Sequence, residues 1–133
     1  MIPGFNENGF LPPGVHPATY SELALRFGRQ SEIRRVQTES IKWLVGLAAR
    51  AGVERLVING SYVTDVLEPN DVDCVLLIGE EFPKDTDAEA DLIDGLPFLE
   101  ISLVTNEGFA LLVDTFFATD REQIPKGMVE VLL

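Results

Sequence analysis

Residues 57–61, Val-Ile-Asn-Gly-Ser, close an apolar run on a Gly-Ser step, and ten residues after Ser61 a second run opens as Asp71-Val72-Asp73-Cys74-Val75. Side chains of a strand alternate between faces with a rise of about 3.3 Å per residue. Asp71 and Asp73 therefore share one face, their Cα atoms roughly 6.6 Å apart, while Val72 and Cys74 turn toward a core. Val75, Leu76, Leu77 and Ile78 then make this second strand buried on both faces. Two carboxylates beside a Gly-Ser turn suit a divalent cation and the phosphate oxygens it bridges.

The remaining pattern predicts helices ahead of a mixed sheet. Thr19-Tyr20-Ser21-Glu22 has the spacing of a capping box and opens a short helix to about Phe27, which Gly28 is expected to end in a left-handed conformation. A longer helix spans 31–51, its apolar stripe formed by Ile33, Val36, Ile41, Leu44, Val45 and Ala48, with Gly52 as its stop. Trp43 lies off part of that stripe and reads as core or rim packing rather than a partner surface. Strands are expected over 55–59 and 71–79. Residues 80–94 are acidic and poorly patterned, with a helical turn or two over 88–92, and 98–104 is ambiguous between strand and helix end. A strand over 109–117 follows the turn signal Asn106-Glu107-Gly108, and 127–133 reads as an edge strand. The first eighteen residues, rich in Gly, Pro and Asn, read as an irregular arm anchored by Phe5, Phe10 and Leu11. With 133 residues and no repeat or linker, the expectation is one domain over 1–133, of class α+β with α/β-like character.

Charge narrows the partners. Ten basic residues against twenty-two acidic ones give a net charge of −12, which excludes a broad nucleic-acid surface. Acidity of this size favours solubility or a basic protein partner. Arg34-Arg35 reads as a solvated helix face, with a local anion contact as the other option. No apolar run approaches the roughly 20 residues that span a bilayer. The opening residues lack the basic-then-apolar pattern of a secretory signal, and Cys74, the single cysteine, has no partner for an internal disulfide. A cytoplasmic setting and a buried Cys74 are expected. Ser61 as a hydrolase nucleophile lacks a base, because His16 is the sole histidine and sits in the Pro-rich arm as a structural or surface residue.

A third carboxylate, Asp114, stands among Val113, Phe116 and Phe117 in the expected 109–117 strand, where an unpaired charge is costly. Beside the second strand it would join Asp71 and Asp73 as a catalytic and metal-holding trio. Gly60, Ser61 and Thr64 are the nucleotide-binding candidates: Gly60 admits close backbone approach and Ser61 offers its hydroxyl and N–H. Thr64 has a purely local hydrogen bond as its other reading, and Asp65 reads as a turn cap. Asn59 either orients a phosphate or closes a strand end. A short helix near Tyr62 would add its N-terminal dipole.

The order apolar-Gly-Ser, nine residues, Asp-apolar-Asp-apolar resembles the signature of the nucleotidyltransferase superfamily related to DNA polymerase β. Asp114 in Leu112-Val113-Asp114-Thr115 matches its later carboxylate. The blocks Asn8-Gly9-Phe10-Leu11-Pro12-Pro13-Gly14-Val15-His16-Pro17 and Asn59-Gly60-Ser61-Tyr62-Val63-Thr64-Asp65, with Pro69-Asn70-Asp71-Val72-Asp73, are similar to a small bacterial family of nucleotidyltransferase-like proteins of unassigned function. The resemblance implies a minimal nucleotidyltransferase fold, a short mixed sheet with helices on one face. It also implies transfer of a nucleoside monophosphate, AMP above all, from an NTP to an acceptor with Mg²⁺ or Mn²⁺. Small members of the superfamily commonly act as antitoxins that adenylylate a helical toxin, so a basic or helical protein partner is implied. A catalytically silent fold that neutralises such a partner is the alternative. Antitoxin members usually follow Gly-Ser with a small residue, Arg and Gly, whereas Tyr62-Val63-Thr64 stand here. The triphosphate's cation must come from elsewhere, with Lys84, Arg121 and Lys126 as candidates.

Overall fold

Local capping signals set the first two helices. In the computed structural model, which describes residues 2–133, Thr19 and Glu22 cap each other reciprocally at the start of α1 (Tyr20–Phe27), and Gly28 closes that helix at φ −98°, outside the left-handed region expected for it. Ser31 accepts the Arg34 N–H at the start of α2 (Glu32–Ala51), and Gly52 ends that helix in a left-handed conformation, φ 85°. The five strands are β1 (Gly14–Ala18), β2 (Arg55–Asn59), β3 (Val72–Leu77), β4 (Leu99–Val104) and β5 (Gly127–Val131). Between β3 and β4 runs α3 (Thr86–Asp94), capped by Asp85 and longer than the turn or two expected. After β4 comes α4 (Asn106–Ala110), which continues as a π-helix through Leu111–Phe116.

The strands form one sheet in the order β1-β5-β2-β3-β4. The pairs β1/β5 and β3/β4 are parallel; β5/β2 and β2/β3 are antiparallel. The class is α+β with a mixed sheet, as the sequence pattern implies. Leu56, Ile58, Cys74, Leu76, Val129 and Val131 point to one face, where they pack with residues of α1, α2 and α3 such as Phe27, Leu44 and Leu92. Val57, Val75, Leu77 and Met128 point to the other, where Phe109 and Val113 of the α4 segment cover them. The three longer helices share one face as expected, and the short fourth lies on the opposite face. Among the described residues no helix is long and apolar enough to cross a membrane. Cys74 is buried and unpaired.

Three expectations are overturned. The 109–117 segment is helical, because its buried residues Phe109 and Val113 are four apart, and Leu111 and Phe116 between and after them are exposed. Aromatic and β-branched composition masked that helical period. The irregular arm stops before Gly14, since residues 14–18 pair with β5 as an edge strand; at an edge, the N–H that Pro17 lacks need not be supplied. The 127–133 tail is not an edge: β5 lies between β1 and β2, with Met128, Val129 and Val131 buried.

The stripe of α2 also differs. Val36 and Trp43 are exposed, and Arg34, Gln37 and Thr38 are buried with Ile41, Leu44 and Ala48. Trp43 is 64% exposed on the wall of a groove between α2 and α3, so core packing is corrected for it.

Candidate active site

The open stretch of the second sheet face begins at the C-terminal end of β2. Asn59 is opposite Asp73 across the antiparallel pair, and Asp73 is opposite Glu100 across the parallel one. Cross-strand partners share a face, so the carboxyls of Asp73 and Glu100 emerge side by side. Burial pushes the Asp73 carboxyl up to about 6, reinforced by a hydrogen bond and the charge of Glu100, opposed by Lys126 and raised again by Asp71.

Gly60 supplies the space for this carboxyl. Its backbone, φ 81° and ψ −163°, lies in a region open essentially to glycine alone. A Cβ there would collide with the Asp73 Oδ2 atom. Ser61 follows in a single 3-10 turn, Ser61–Val63, and its hydroxyl has no hydrogen-bond partner among the described residues. That turn replaces the helix expected near Tyr62, and three residues are too few to build a useful dipole. Thr64 donates its hydroxyl to the Ser61 carbonyl at 2.6 Å and accepts the Val66 N–H at 3.3 Å. Its role is therefore local closure of the turn, although it also borders the hollow. Asn59 is fully buried; its Nδ2 donates to the Val57 carbonyl, while Oδ1 has no partner among the described residues.

Arg34 holds this turn from below. Its side chain is buried (2% exposed) and donates to the carbonyls of Phe27 (3.1 Å), Tyr62 (2.7 Å), Thr64 (2.9 Å) and Val66 (2.5 Å). The solvated-face reading is thus corrected for Arg34 and holds for Arg35, which is exposed and paired with Glu32. Burial lowers the Arg34 pKa, partly offset by the charges of Tyr62 and Asp65. Tyr62 stacks against Phe27 and bonds Thr38 at 2.5 Å, its hydroxyl pushed up to about 12 by burial. The N-terminal arm straps the other side: Asp65 donates its N–H to the Gly9 carbonyl, and Phe10 bridges Thr64.

Around these groups opens a hollow of about 790 Å³. Asp73, Glu100, Gly60 and Ser61 face it from the sheet, Phe10 from the arm, and Phe116, Arg121 and Lys126 from the segment after β4. Asp71 stands exposed just before β3, outside this lining but close enough for its charge to reach Asp73. Asp114 is not brought to them. It sits exposed on the π-helix, where its charge acts on Arg55 at the other end of β2, and Arg55 is also paired with Glu130. The helical course of 109–117 is the physical reason. Glu100 takes the place expected for Asp114, and the sequence carried a signal for it: polar Glu100 and Ser102 alternate with Leu99, Ile101 and Leu103. Lys84 is also removed from the site, since it packs over Gly52 and pairs with Glu81.

The donor set fits a divalent cation of the Mg²⁺ type. Among the described residues no three acidic, His or Cys side chains converge as a cluster, but such an ion is commonly held by one or two carboxylates, with water and substrate phosphates completing its shell. Asp73 and Glu100 are hard oxygen donors paired across adjacent strands on one face, where a cation can sit between them.

A family model for a family of unknown function (DUF6932) matches residues 3–132. The chain belongs to the DUF6932 family. The match takes in every element around the hollow, from Phe10 of the arm to β5, so this geometry spans the DUF6932 domain rather than an appendage to it. No curated protein and no solved structure matches the chain.

Proposed function

We propose that this DUF6932 protein is a Mg²⁺-dependent nucleotidyltransferase that moves a nucleoside monophosphate from an NTP to an acceptor hydroxyl, with a protein as the acceptor class. The observation that carries the reading is the placement of the Asp73–Glu100 carboxyl pair against the Gly60–Ser61 turn. The motif's resemblance to polymerase β-type nucleotidyltransferases supports it as well. Asp73 and Glu100 would hold the metal, with Asp71 at the rim. Bound there, the cation would neutralise phosphate charge and activate the phosphorus toward attack.

The chain's own groups supply the rest. Gly60 lets a phosphate approach the backbone, and the Ser61 hydroxyl, free of internal partners, can donate to a phosphate oxygen. The acceptor oxygen forms its bond to the α-phosphorus, the α–β P–O bond breaks, and pyrophosphate leaves. The acceptor's proton leaves to solvent water at the open hollow. Arg34 keeps the turn in place through backbone carbonyls and does not touch substrate.

Thermal shift with ATP or GTP tests the reading. A rise in Tm that requires Mg²⁺ and disappears in an Asp73→Asn/Glu100→Gln variant is expected. An NTP with Mg²⁺ that leaves Tm unmoved overturns it.

A further inference from the structure

The hollow is lined by charges of both signs: the charge of Lys126 reaches Asp73, but no close ion pair joins them. Asp73 and Glu100 occupy the sheet side, while Arg121 and Lys126 belong to the loop that leads into β5. Among the described residues neither cation forms an ion pair within 4.0 Å or a side-chain hydrogen bond. Basic side chains inside so acidic a protein ordinarily find a carboxylate, and Glu100 and Asp120 border the same hollow. Asp120 is instead engaged with its own loop, accepting the N–H groups of Glu122 (2.8 Å) and Ile124 (2.9 Å).

The loop is a built element. Thr119 bridges Pro125, Lys126 donates its N–H to the Ala118 carbonyl at 2.9 Å, and Asp120 donates its own to Ile124. These bonds close residues 118–126 into a small ring that holds Lys126 at its base and Arg121 near its tip. Just before it stands Phe116, 67% exposed and edge-on to Phe117 at 5.0 Å. An exposed ring of this kind on the wall of a charge-bearing hollow offers a stacking surface to a planar group.

A simple anion would meet Asp73 and Glu100; a simple cation would meet Arg121 and Lys126. A ligand that brings its own divalent cation together with several phosphates satisfies both sides at once. We propose that Arg121 and Lys126 form the polyphosphate seat of a metal-bound nucleoside triphosphate, and that Phe116 is the wall against which its base lies. This rests on the nucleotidyltransferase reading above, and it assigns the triphosphate's cations, which the Gly-Ser motif itself lacks.

Titration calorimetry on the full chain tests the assignment, with ATP and inorganic tripolyphosphate as separate probes at constant Mg²⁺. Lys126→Met combined with Arg121→Met is expected to weaken both probes by tenfold or more, in the range of lost charge-assisted contacts. Phe116→Ala is expected to weaken ATP by roughly tenfold and to leave tripolyphosphate unchanged, because only the base is lost. Lys126→Arg restores the charge and recovers most of the affinity, which separates loss of a contact from loss of fold. Wild-type affinity for both probes in the double Met variant overturns the seat, and equal weakening of both probes by Phe116→Ala overturns the base wall. Binding of neither probe by the wild type overturns this inference together with the enzyme reading. Wild-type binding with the expected losses but no nucleotidyl transfer sinks the enzyme reading alone, whereas transfer with unaltered affinity in the double variant sinks the seat alone.

Discussion

Asp73 and Glu100 stand directly opposite each other on the parallel strands β3 and β4, their carboxyls side by side on the open face of the sheet. Desolvation and the neighbouring carboxylate together hold the Asp73 proton up to about pH 6. A raised acid pKa in the folded state stabilises that state below the unfolded value, near 3.8. That contribution is lost as pH rises through about 6. Asp73→Asn removes the penalty. In metal-free buffer its Tm should match the wild type at pH 4 and exceed it at pH 8. The pKa difference corresponds to about 3 kcal/mol at most, and for a half-buried group about 1–2 kcal/mol is the expected gain. Thermal melts across pH 4–8 measure it; a constant offset at every pH contradicts the carboxyl pairing.

Divalent cation should reverse the sign of that effect. Above pH 6, millimolar Mg²⁺ is expected to raise the wild-type Tm by a few degrees, consistent with linkage to a weak site. Glu100→Gln should abolish the rise, and Asp114→Asn should keep it in full, since Asp114 acts on Arg55 instead. Melts with and without Mg²⁺ separate the two carboxylates. A loss confined to Asp114→Asn would restore the trio expected from the sequence.

How much of this was legible without coordinates follows from range of interaction. The caps at Thr19 and Gly52 are local, and each stands where its own neighbours put it. The β2 and β3 alternation and the burial of Cys74 were also legible, because strand period needs only a few residues; Asp71, just before β3, lies outside the alternation that was expected to hold it beside Asp73. Glu100 was not. Its role depends on β4 pairing with β3 in a register that brings it beside Asp73, a long-range choice. Asp114 misled because Phe109, Val113, Phe116 and Phe117 have strand composition but helical spacing. Arg34 misled because a charged residue on a helix normally faces water, whereas here bare carbonyls of the 61–66 turn converge on it.

Arg34→Met should be among the most costly single changes in the chain. It leaves several carbonyls without donors, and about 3 kcal/mol or more of stability is expected to go. Lys at this position supplies one ammonium in place of a planar fork and should recover less than half. Urea unfolding reads both variants. A loss under about 1 kcal/mol for Arg34→Met contradicts the view that the guanidinium holds the turn.

Gly60→Ala should damage stability and site together. The added Cβ meets the Asp73 carboxyl, and the backbone is strained for any other residue, a cost of about 1–3 kcal/mol. The Mg²⁺-dependent rise in Tm should vanish with it. Retention of that rise in a folded Gly60→Ala protein is the outcome at odds with Gly60 as the cradle of Asp73.

The most direct measurement is transfer itself. Wild-type protein is incubated with Mg²⁺, α-labelled NTPs and whole-cell lysate, in parallel with the Asp73→Asn/Glu100→Gln and Asp114→Asn variants. Label is expected on a discrete acceptor with wild type and Asp114→Asn, and none with the double variant. Label that persists in the double variant, or that never appears with wild type, contradicts a nucleotidyltransferase site built on Asp73 and Glu100.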